Sequence, residues 1–86
     1  VSSKLNSADL RNTNLLNANF QFADASGANF SNANLKGANF SNADLKGANF
    51  SNADLEGANF HKAFYNSKTI WPQHADINLL EAINIE

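Results

Sequence analysis

Residues 28–37 read ANFSNANLKG, residues 38–47 read ANFSNADLKG, and residues 48–57 read ANFSNADLEG. Each block of ten splits into two five-residue units of the form A-[N/D]-[L/F]-x-x. The register runs outward in both directions. Its centres are Leu5, Leu10, Leu15, Phe20, Ala25, Phe30, Leu35, Phe40, Leu45, Phe50, Leu55, Phe60, Tyr65 and Ile70. Two residues before most of these centres stands alanine, from Ala8 to Ala63, and between them stands Asn or Asp from Asp9 to Asn59. An α-helix cannot use this period, because a five-residue step drifts by about 140° and forms no apolar stripe. An unbroken strand fails too, since five is odd and successive centres would face opposite sides. Within a unit, alanine and the centre are two apart and share a face in extended chain. The conflict disappears if the chain turns a corner once per unit. Gly27, Gly37, Gly47 and Gly57 fall at the final position of their units, as do Asn12, Asn32, Asn42 and Asn52. These are residues that accept tight turns and positive φ.

Composition agrees with stacked units. The chain has 86 residues, 43% of them hydrophobic, with much of that share alanine, and 16% charged. A compact globule of this length is marginal, whereas repeats bury each face on a neighbour. A net charge of −2 is too weak for a phosphate-binding surface or a strongly acidic decoy. With no cysteine there is no disulfide framework. No apolar run approaches the roughly 20 residues of a membrane span, so a soluble protein without membrane insertion is expected. The chain begins with valine and contains no methionine, which reads as a processed form or a piece of something longer. The compartment stays open on these grounds: cytoplasmic or, if a leader was removed, periplasmic or thylakoid-lumenal.

Phe and Leu alternate along the centres. A coil of three units would stack Phe on Leu, while four would stack like on like, which leans towards four. The unbroken run of A-[N/D]-[L/F]-x-x units over roughly residues 5–70 closely resembles the pentapeptide-repeat family, in its cyanobacterial type. That resemblance implies an all-β fold: a right-handed quadrilateral β-helix with four units per coil. Stacked residues would then differ by 20. The inward columns become Leu5/Ala25/Leu45/Tyr65, Leu10/Phe30/Phe50/Ile70, Leu15/Leu35/Leu55 and Phe20/Phe40/Phe60. The resulting core has Leu15, Phe20, Phe30, Leu35, Phe40, Leu45, Phe50, Leu55, Phe60 and Tyr65 as its large members. It should be dry and filled.

The ends of a β-helix need covers. Residues 1–72 are assigned to the repeat and residues 73–86 to a capping tail. After Ala63 the pattern breaks, with Phe64 and Tyr65, and Pro72 stops regular pairing. Asp76–Ile83 reads as a short helix with Asn78 and Glu81 at capping-box spacing. Trp71, Ile77, Leu80 and Ile83 are the cap residues. The tail is similar to those of cyanobacterial family members in which an aromatic-Pro segment closes the last coil.

Little in the sequence suggests chemistry. His61 and His74 read as surface histidines, because a metal site needs more ligands at fixed spacing. Asp24 and Asp44 would stack one coil apart, a faint hint of a cation site, yet the interchange of Asp and Asn here suggests a solvated or backbone-bonding role. Lys36 is expected beside Glu56. No catalytic grouping, cofactor site or metal site is expected. Leu16 and Phe22 are apolar at outward positions. They are either packing residues, with Phe22 folding over the small centre Ala25, or a partner surface. The reading is a non-enzymatic structural or protein-binding module with a protein partner and no nucleic acid, monomeric or weakly self-associating through an end coil. The alternative is a DNA-mimicking gyrase-binding protein. Members of that kind are extended, strongly acidic dimers, unlike this short chain bearing Lys36, Lys46 and Lys62.

Overall fold

The computed structural model describes residues 3–73 and 82–85. The chain winds in coils of four flat walls joined by four corners, and stacks coil on coil. Nine single-residue parallel bridges join residues 20 apart, from Lys4↔Asp24 to Asp44↔Phe64. Four five-residue units therefore make one coil, as the like-on-like argument anticipated.

Each corner has one design. The amide of the alanine after each corner donates to the carbonyl of the preceding centre, as in Ala28 N–H to Ala25 (3.1 Å) and Ala48 N–H to Leu45 (3.0 Å). The residue just before the alanine holds a positive φ, from Ser7 (62°) through Asn32 (62°) and Gly47 (71°) to Lys62 (59°). A four-residue turn with positive φ at its third residue is a type II turn, which accounts for Gly and Asn at that position. The Asn or Asp of each wall closes the same corner from outside. Its Oδ1 accepts the amide two residues on, as in Asn29 with Ser31 (3.0 Å), Asn49 with Ser51 (2.9 Å) and Asp54 with Glu56 (3.2 Å). Either residue supplies that acceptor oxygen, so the two interchange along the chain.

The interior is an aromatic zipper. Phe20, Phe40 and Phe60 stack in one column, at 4.8 and 5.3 Å between rings and within 9° of parallel. Phe30 and Phe50 stack at 5.0 Å in the opposite column. The two columns meet edge to face across the axis, at 5.6 Å for both Phe30–Phe40 and Phe40–Phe50, a favoured geometry for ring quadrupoles. Leu35, Leu45 and the alanines from Ala23 to Ala63 fill the remaining space. Rings this close leave no channel, and no buried side-chain nitrogen or oxygen among the described residues lacks a partner. Of the expected core, Leu15 and Tyr65 are only half-buried, because each lies in or beside an end coil.

The C-terminal end departs from the expected register in two ways. First, Ile70 is not inward. The bridge Asn49↔Ile70 spans 21 residues instead of 20, so the last corner carries one extra residue. Thr69 takes the buried alanine position, Ile70 the outward one at 49% exposure, and Trp71 the centre. Trp71 consequently stacks on Phe50 (5.1 Å, 3°) and meets Phe60 edge-on (5.3 Å), ending both aromatic columns. The enlarged corner is completed by side chains. Elsewhere the glycine or asparagine amide donates to a carbonyl of the next coil, as Gly37 does to Glu56 (2.9 Å). Gly47 N–H instead meets Asn66 Oδ1 (3.0 Å) and Thr69 Oγ1 (3.2 Å), while the Thr69 hydroxyl donates to the Leu45 carbonyl (2.9 Å).

Second, Ile83, expected as the last residue of a short helix, lies in a strand, while residues 76–81 of that expected helix lie outside the described residues. Strand β1 (Phe64–Tyr65) pairs in parallel with β2 (Ile83–Asn84), in the register Phe64↔Ile83 and Tyr65↔Asn84. Ile83 is thus a strand residue, 41% exposed, and not part of a helical apolar face. Its amide satisfies the Ala63 carbonyl and that of Ile85 the Tyr65 carbonyl, both at 2.7 Å. The open ladder of the last coil offers Ile83 and Ile85 unpaired carbonyls, and an edge of that kind recruits a strand. Ile77 and Leu80, also assigned to the cap, lie outside the described residues, as does His74.

Candidate interaction surface

Most of the outer surface is polar and locally satisfied. His61 is exposed, and its amide donates to Asn59 Oδ1 (2.9 Å). Among the described residues no three His, Cys, Asp or Glu side chains gather into a possible metal site. Asp24 and Asp44 do stack as neighbours. The Ser26 hydroxyl (2.8 Å) and amide (3.2 Å) both donate to Asp24 Oδ1 and hold its pKa below the usual carboxylate value. Asp44 accepts the Lys46 amide (3.1 Å) and has the Lys46 ammonium 3.8 Å away. Lys36 does not pair with Glu56 as expected. It lies 3.6 Å from Asp54, the mid-wall carboxylate one coil on. Arg11 forks onto both oxygens of Asp9, each at 2.8 Å, and that pairing takes the Asp9 pKa down to about 2.

The apolar exceptions matter more. Leu16 and Phe22 are each 54% exposed. Phe22 therefore does not fold over Ala25, which is fully buried within the core cluster. Phe22 occupies the positive-φ corner position, with φ 62°, and its side chain lies outside. Leu16 and Phe22 sit at different corners, one at each end of the wall of residues 18–20. Phe22 lines a cleft on the wall bearing Asp24 and Asp44. That cleft is lined by Phe22, Asp24, Asp44, Lys46, Phe64 and Ile85, together with Ala23 and Asn42. Phe64 stands where the repeat places Asn or Asp, and β2 brings Ile85 onto the same wall. Sequence reasoning had noted Phe64 only as a break in the pattern. Its outward register was the signal that it belongs to the surface. Ile85 carried no such signal, because the five-residue spacing ends before it.

Coils of four walls with an Ala/Leu/Phe interior define a β-helical repeat solenoid. The family model for pentapeptide repeats matches residues 2–32 and 26–61, in 8 copies. The chain belongs to the pentapeptide repeat family. Among solved structures it is similar to a pentapeptide repeat protein from the cyanobacterium Cyanothece 51142, with 40% identity over 73% of this chain and a TM-score of 0.71. The match covers 43% of that protein, so this chain spans less than half its length. A pentapeptide repeat protein from Nostoc Pcc 7120 shares 28% identity, with 96% of this chain and 81% of that one covered and a TM-score of 0.47. One from the Arabidopsis thaliana thylakoid lumen shares 31% identity, with 74% and 52% covered and a TM-score of 0.43. No curated protein matches. No helix among the described residues is long and apolar enough to cross a membrane.

Proposed function

We propose that the chain is a non-enzymatic module that binds protein through one wall of the solenoid. The supporting observation is the gathering of Phe22, Phe64 and Ile85 around one cleft, whereas Leu16 and Ile70 are exposed outside it. Exposed apolar groups collected from three distant parts of a chain mark an interaction surface more often than scattered single ones do. The stacked rings and laddered corners hold that wall rigid, so binding costs little ordering of the module. A DNA-mimicking role draws no support from a net charge of −2.

The test is comparative capture. The purified chain and its Phe22→Asn/Phe64→Asn variant are immobilised and exposed to extract of the source cell. Both substitutions install residues that the repeat uses at those positions. The wild type is expected to retain specific protein that the variant loses. Equal retention by both removes this wall as the binding face. Added to a gyrase supercoiling assay, the chain is expected to leave supercoiling unchanged.

A further inference from the structure

We infer that the cleft wall is a self-complementary face, and that its occupant is a second copy of this chain. The inference rests on the reading of this wall as a binding face and names what binds there. Three observations carry it. The first is the apolar set. Phe22 and Ile85 are exposed and Phe64 is half-buried, and all three line one cleft.

The second is the conformation of Phe22. Every other non-glycine residue with positive φ among the described residues is Ser, Asn or Lys. A bulky aromatic side chain is a true outlier in that region. Its ring also takes no part in the aromatic columns that run from Phe20 to Trp71. Strain held by a ring that stays more than half exposed points to a contact outside the monomer.

The third is charge. Asp24, Asp44 and Lys46 line the cleft. Lys4 bridges to Asp24 on the same ladder, and Lys62 stands at the bordering corner. Three lysines against two aspartates leave the wall nearly balanced. Such a face offers a strongly basic or strongly acidic partner no net attraction. A second copy supplies both signs, as the isologous contact of a two-fold dimer requires. The molecule's longest extent is 26 Å, so one wall offers less than the roughly 800 Å² per partner of a standard stable interface. The association is therefore weak and reversible.

The experiment is sedimentation of the purified full chain from about 1 µM to about 1 mM, the range in which weak contacts fill. The wild type is expected to pass from monomer towards dimer. Phe22→Asn is expected to stay monomeric while keeping a wild-type or higher melting temperature. Leu16→Ser, altered at a corner outside the cleft, is expected to associate like the wild type. Two charge variants complete the test. Lys46→Glu/Lys62→Glu leaves four negative groups (Asp24, Asp44 and the two new glutamates) against Lys4, a wall charge of −3. Asp24→Asn/Asp44→Asn leaves Lys4, Lys46 and Lys62 alone, a wall charge of +3, and keeps the acceptor oxygens that close the corners. Each alone should be monomeric, and an equimolar mixture should form heterodimers.

A wild type that stays monomeric throughout overturns the inference. So does association that survives Phe22→Asn, is lost in Leu16→Ser, or fails to return in the charge mixture. A monomeric chain whose capture of other protein still depends on Phe22 and Phe64 sinks the second copy as occupant while leaving the binding face in place. Loss of both removes the face as well.

Discussion

Phe22 is the residue most at odds with its position. Its backbone adopts φ 62°, a region that costs a residue of this shape on the order of 1–3 kcal/mol. Asparagine fills the equivalent corner at positions 12, 17, 32, 42 and 52. Phe22→Asn should therefore raise monomer stability by about 1 kcal/mol, read as a higher urea midpoint in dilute protein. An unchanged or lower midpoint would mean that the ring is packing after all. Asp9 gives a second prediction, in pH. Its folded pKa of about 2 lies below the ordinary carboxylate value because Arg11 donates to both its oxygens. A depressed pKa contributes stability above the unfolded value of about 4, and that contribution is lost as pH falls through the folded value near 2. The Asp9 carboxyl should titrate near the lower end of that window by NMR, and Arg11→Ala should raise it towards the ordinary range, with the residue-11 amide still donating to Oδ1. The site is solvent-exposed, so the effect on overall stability is small.

At the scale of the element, the last corner shows how a repeat absorbs an extra residue. Insertion of one residue moves the backbone carbonyl that Gly47 N–H would have met. Asn66 Oδ1 and Thr69 Oγ1 stand in for it. Thr69 sits at the alanine position at 8% exposure, where a hydroxyl is tolerable only because it donates to Leu45 and accepts from Gly47 and Asn66. Thr69→Val keeps the shape and leaves those groups short of partners. The expected cost is about 1–3 kcal/mol, measured by denaturant unfolding. A neutral substitution would show that the Asn66 amide group alone closes the corner. The same insertion places Trp71 on the aromatic column, a position that strict five-residue spacing assigned to Ile70.

At the scale of the whole molecule, the solenoid has two ends and treats them differently. The C-terminal coil is covered on one wall by β2, which satisfies the Ala63 and Tyr65 carbonyls. Deleting residues 74–86 frees that edge and removes Ile85 from the cleft. The truncated protein should unfold at lower temperature and aggregate through edge pairing, visible as light scattering during the melt. A truncated chain that melts like the full one and stays dispersed would show that β2 is dispensable as a cover.

The sequence by itself determined the coil. The period, the inward columns up to Phe60 and the Gly and Asn corners were all legible, and the interchange of Asn and Asp pointed to either a solvated or a backbone-bonding role. The reason is that each unit's turn and side-chain bond lie within a few residues, as in Asn29 to Ser31 and Ala28 to Ala25. Identical local units then stack in the one register that aligns Phe with Phe. Only the tertiary structure decided the end and the surface. The outward turn of Ile70 depends on hydrogen bonds from Thr69 to Leu45 and from Gly47 to Asn66, about one coil away. The strand at Ile83–Asn84 forms on the open ladder at Phe64–Tyr65, a partner about 20 residues away in sequence. The cleft joins Phe22, Phe64 and Ile85, residues so distant in sequence that only the stacking of four walls brings them onto one face.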